Sequence, residues 1–95
     1  MKKNTRATDA WRQFVAFCAC SKTEAQLSEI FDFFLTPEEK IDIGKRISLI
    51  KELLDKNLSQ RAISKKVGVS ISKVTRGSNC LKRVPSQFLN DLKKL

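Results

Sequence analysis

SQRAISKKVGVSISKVTRGSNCLKR, residues 59–83, is the stretch from which the rest of the chain is read. It holds seven Lys or Arg and no Asp or Glu, in a chain whose formal net charge is +9. Residues 1–58 carry ten basic and nine acidic side chains, and residues 84–95 two and one, so both flanks are nearly neutral. A local excess of positive charge suits a polyanion, because phosphates attract Lys and Arg whatever the sequence. Ile63, Val67, Val69 and Val74 recur at spacings that bury one side of a helix, then a corner, then one side of a second helix. Gly68 can take the left-handed conformation that ends the first helix, and Ser64 is small where the two helices must approach. Ser59 and Ser70 are placed to cap. The pattern predicts a helix over 60–67, a tight turn, and a second helix from 71 to 82 or 83, which is a helix-turn-helix.

Upstream, Thr36-Pro37-Glu38-Glu39 is the clearest helix start in the chain. Thr36 can cap, Pro37 loses nothing at the first helical position, and the two Glu complement the positive end of the helix dipole. A central scaffold helix is expected over 37–56, with Ile43, Ile47, Ile50 and Leu54 as its buried stripe and Ile41 and Leu53 widening it. Further back, Trp11, Phe14, Val15 and Cys18 form an apolar stripe on a helix expected from residue 8, after a polar, frayed stretch over 1–6. Thr23 and Gln26 have capping-box spacing ahead of Leu27, Ile30, Phe31 and Phe34. Of six Phe and one Trp, all but Phe88 fall within residues 11–34. That concentration, continued by Phe33 and Leu35, is more apolar surface than one small chain readily covers, so residues 8–35 are expected to form a homodimer interface. After Pro85-Ser86 a last helix is expected over 86–95, with Phe88, Leu89 and Leu92 inward. The whole is an all-α single domain over 1–95 with about six helices.

Composition narrows the function. There is no apolar run near 18 residues and no signal-peptide pattern, so a soluble cytoplasmic protein with no membrane partner is expected. His is absent and the three cysteines, Cys18, Cys20 and Cys80, lack ligand spacing, which supports neither a disulfide framework nor a metal site. Cys18 and Cys20 are expected to be buried. No carboxylate pair or activated nucleophile stands in a recognisable arrangement, so an enzyme is not expected.

In a helix-turn-helix the start of the second helix enters the major groove of double-stranded DNA while the first crosses the backbone. Ile71, Ser72, Lys73 and Thr75 are then placed for base edges, and Gln60, Arg61, Lys65 and Lys66 for phosphates, with Ser64 and Lys82 completing the DNA-facing set. Gly77 lowers helix propensity by roughly 1 kcal/mol relative to Ala and calls for a specific reason. With Arg76 beside it, a ligand could lie against bare backbone and stack on or pair with the guanidinium; Arg46, two places after Gly44, is a second arginine of this kind. The alternatives are close helix packing at Gly77 and a solvated Arg46. An interaction module built on the N-terminal aromatic surface is a further alternative, but it leaves the acid-free basic stretch unexplained.

Residues 35–85 resemble the core of the bacterial tryptophan repressor family. The likeness is carried by the Leu35-Thr36-Pro37 start, the Leu58-Ser59-Gln60-Arg61 entry and the string Thr75-Arg76-Gly77-Ser78-Asn79 followed by Leu81-Lys82. Residues 11–35 are similar in pattern to the family's interlocking N-terminal helices. The resemblance implies an intertwined homodimer that represses genes of tryptophan biosynthesis or transport by binding a palindromic operator with L-tryptophan as co-repressor. It implies that Arg46 and Arg76 flank the indole, that backbone over 33–35 (Phe33, Leu35) contacts the ligand, that Thr36 faces its carboxylate and that Gly77 gives the ring room. Two positions depart from the family pattern. Cys80 stands where a serine commonly helps hold the ligand ammonium, and Lys73 stands where a smaller residue is usual, which implies a different operator preference. A regulator of the same fold with an altered or absent co-repressor is the alternative.

Overall fold

The computed structural model describes residues 2–95 and is all-helical, with six helices and no strand among the described residues. The helices are α1 Lys2–Ala19, α2 Glu24–Phe34, α3 Pro37–Asp55, α4 Gln60–Val67, α5 Ile71–Leu81 and α6 Ser86–Leu92. They fall into two compact units, Met1–Pro37 and Glu38–Leu95.

In the first unit, α1 begins at Lys2 and not at residue 8, so the expected frayed stretch is helical as far as it is described; Met1 lies outside the described residues. No Gly or Pro precedes Trp11, and a helix once nucleated propagates until something stops it. The break comes at residues 20–23, where Ser21 N–H donates to the Cys18 carbonyl at 3.0 Å. Thr23 then caps α2, accepting from Gln26 N–H at 3.1 Å. The Gln26 side chain reaches back to Lys22 N–H at 2.8 Å, one residue before the cap, so the capping box is reciprocal but shifted. The two helices meet through rings: Phe14 lies 6.3 Å from Phe31 and 5.4 Å from Phe34, and Phe17 is 6.3 Å from Phe34. None of the unit's described side chains is buried. Trp11 remains 63% and Phe33 81% exposed. Cys18 is half-buried and Cys20 exposed, correcting the expectation of burial: the two helices of this hairpin bury no described side chain fully.

The second unit has a small core. Leu49 from α3, Ile63 from α4 and Val74 from α5 are buried together, with Leu53, Val67 and Val69 packed around them. Burying side chains of this size stabilises by about 1.5–3 kcal/mol each. The stripe expected on α3 is displaced: Leu49 is buried, Ile50, Leu53 and Leu54 are half-buried, and Ile41, Ile43 and Ile47 are exposed. The physical reason is that α4 and α5 pack on the Leu49–Leu53 side of α3, leaving the apolar residues of its first half without a cover in this unit. Lys56, at φ 60°, takes the left-handed turn that ends α3. In α6, Leu89 and Leu92 are half-buried, whereas Phe88 is 51% exposed, correcting its expected inward position: it begins the helix's apolar face where no other side chain of the unit covers it.

Candidate functional site

The α4–α5 pair is built as its sequence requires. Ser59 accepts from Ala62 N–H at 3.1 Å to open α4, and Ser70 accepts from Lys73 N–H at 3.2 Å to open α5. Between them Gly68, at φ 79° and ψ 41°, donates its N–H to the Ser64 carbonyl at 2.9 Å. The Ser64 hydroxyl donates to the Val69 carbonyl, which locks the corner from inside. Ser64, included in the DNA-facing set on sequence, is therefore half-buried and committed to the turn.

The other residues of that set are exposed, apart from half-buried Gln60. Thr75 donates its hydroxyl to Gln60 Oε1 at 2.9 Å, tying the start of α4 to the outer side of α5. Lys66 pairs with Glu52 of α3 at 2.6 Å, a bridge with its lysine end exposed and its carboxylate half-buried. Arg61, Lys65, Lys73 and Lys82 remain as exposed cations, and Ile71 presents an exposed β-branched side chain at the first position of α5. The arrangement offers point charges for phosphates and, at the start of α5, small polar and methyl-bearing groups of the kind that read base edges.

A cleft of about 370 Å³ lies between α3 and α5. It brings together Arg46 from α3 with Arg76, Gly77 and Cys80 from α5, four residues singled out from sequence as ligand contacts. A Cβ built on Gly77 would lie 3.3 Å from both Leu49 Cδ2 and Leu53 Cδ1. The glycine thus allows close packing of α5 on α3, and it also lines the cleft. Leu49, Ile50 and Val69 give the cleft its apolar floor. Asp42, Lys45 and Lys73 also line it, and sequence reasoning missed all three in this role. The signal was present: Lys73, Arg76, Gly77 and Cys80 are spaced i, i+3, i+4, i+7, as are Asp42, Lys45, Arg46 and Leu49. Apolar floor and cationic rim together suit a ring-bearing anion, and the volume is in the range of small-molecule sites. Phe33, Leu35 and Thr36 belong to the first unit: Phe33 lies in the last turn of α2, Leu35 is its extended C-cap with N–H to the Phe31 carbonyl at 2.8 Å, and Thr36 is exposed.

Among the described residues no three His, Cys, Asp or Glu side chains gather as a metal site, and no helix is long and apolar enough to cross a membrane.

A family model described as Trp repressor protein matches residues 9–95. A Trp operon repressor homolog of Chlamydia trachomatis serovar D is 40% identical over 84 residues, covering 88% of this chain and 89% of that relative. The homolog of Chlamydia caviae is 38% identical over 87 residues, 92% and 86% of the two chains. That of Pasteurella multocida is 33% identical over 85 residues, 90% and 83%.

Proposed function

The chain belongs to the Trp repressor protein family and is a trp-repressor-like regulator; from that premise we propose that it is a homodimeric, cytoplasmic, sequence-specific DNA-binding repressor with L-tryptophan as co-repressor, acting on genes of tryptophan biosynthesis or transport. The observation that carries the proposal is the cleft between α3 and α5, because one of its walls is the helix expected to read DNA. A ligand filling it touches α5 through Arg76 and Gly77 and α3 through Arg46. It thereby biases the angle between the reading helix and its scaffold, which couples two sites through one mobile element. The indole lies on the Leu49, Ile50 and Val69 floor between the two guanidinium groups, and Arg76 pairs with the carboxylate. Cys80 faces the ammonium end with a weak hydrogen-bonding group. On the outer side Arg61, Lys65 and Lys66 contact phosphates, Gln60 braces Thr75, and Ile71, Ser72 and Thr75 meet base edges. Two reading heads require a second copy, and the exposed aromatic hairpin of α1 and α2 supports one.

The test is titration of the protein into a labelled palindromic operator at fixed salt, with and without L-tryptophan. The expected outcome is tighter operator binding with tryptophan and no such gain on unrelated DNA. Tight operator binding that ignores tryptophan would transfer the chain to the alternative, a regulator of the same fold with another co-repressor or none, which the thiol in the cleft favours.

A further inference from the structure

We propose that Lys73 is a residue of the ligand cleft that selects for a carboxylate on the ligand, and not a reader of DNA bases. The inference rests on the reading of the α3–α5 cleft as the co-repressor site. Lys73 lines that cleft. With 100° per residue along α5, it shares a face with Arg76, Gly77 and Cys80, whereas Ile71 and Thr75 point about 160° away. A helix that presents Ile71 and Thr75 to the groove therefore turns Lys73 toward α3.

Charge gives the lysine its role there. Lys45, Arg46, Lys73 and Arg76 line the cleft against a lone carboxylate, Asp42. Among the described residues none of these five groups is in an ion pair, and Lys45 alone has a hydrogen bond, 3.5 Å to the Gly68 carbonyl. Like charges gathered around an apolar floor repel, and an anion entering between them relieves that repulsion. Lys73 and Arg76, three residues apart on one face, are spaced to hold the two oxygens of one carboxylate. Cys80 offers the ammonium end no charged partner. Recognition is thus weighted toward the acid group of the ligand.

The test is calorimetric titration of the full chain, K73Q and K73R with acid and amide pairs: L-tryptophan with L-tryptophanamide, and indole-3-acetate with indole-3-acetamide. Wild type is expected to prefer each acid. K73Q should weaken acid binding about tenfold while leaving amide binding unchanged, and K73R should restore the preference. Base preference on a panel of operator variants at saturating ligand should be the same for K73Q and wild type. An acid-to-amide ratio unchanged in K73Q, or a base preference that shifts with it, overturns the proposal. If wild type binds indole-3-acetate but not L-tryptophan, the co-repressor reading fails by itself; Lys73 is then decided on the indole-3-acetate pair by the same ratio. Binding of neither acid overturns both.

Discussion

The hairpin of α1 and α2 contains most of the chain's aromatic side chains and buries none of them, whereas the unit from Glu38 to Leu95 has a single Phe, largely exposed, and a closed core of Leu49, Ile63 and Val74. Hydrophobic content and core formation are therefore separate properties. Rings stabilise a fold through the area they remove from water, and two helices back to back leave each ring with a wet side. Three aliphatic side chains at a three-helix junction are covered from every direction, with a glycine letting one helix come close. The first unit leaves its aromatic surface open, and the second is a small core supporting a cleft.

That contrast breaks most readily at the core. Ile63→Ala removes a side chain that is 1% exposed and should cost about 3 kcal/mol in urea unfolding, with loss of the tryptophan response, since α4 and α5 are joined through it. A loss below about 1 kcal/mol would mean that the junction does not hold the unit together. A change in the hairpin should act through association. The melting temperature of the wild type should rise with protein concentration, and Phe14→Ala should weaken self-association about tenfold by sedimentation equilibrium, near 1.4 kcal/mol. Concentration-independent melting would show that the aromatic surface stays wet, against the proposed dimer. The smallest effect belongs to the end of α3. Lys56→Gly should stabilise by about 0.5 kcal/mol, because the left-handed penalty for a side chain outweighs the extra entropy of glycine, and operator binding should be unchanged.

Much of the site was legible because its parts are local. Ser59, Gly68 and Ser70 act on neighbours within five residues, and their spacing alone places both helices of the helix-turn-helix. Arg76 beside Gly77, and Arg46 near Gly44, stand out by their chemistry, whereas Cys80 enters only through the family resemblance. Lys45, Asp42 and the cleft-facing Lys73 were missed because a charged residue on a basic helix looks solvated until the opposite wall is known. The stripe on α3 differs for a related reason: its apolar residues extend around more of the helix than one neighbour can cover, so periodicity points to Ile43, Ile47, Ile50 and Leu54, whereas packing buries Leu49, which lies outside that stripe. Ser64 suits both a close approach of two helices and a DNA contact on sequence; its bond to the Val69 carbonyl supports the former.

Sequence by itself determined that there are six helices, the caps at Thr23, Ser59 and Ser70, the Gly68 turn, the place of the basic charge and the family, since these depend on interactions within a few residues or on local composition. Tertiary structure decided which side of α3 is buried, that Gly77 meets Leu49 and Leu53, and that Lys73 joins the cationic lining of the cleft. Those outcomes depend on which surface α4 and α5 cover, and covering is a property of two elements in contact that neither one's periodicity contains.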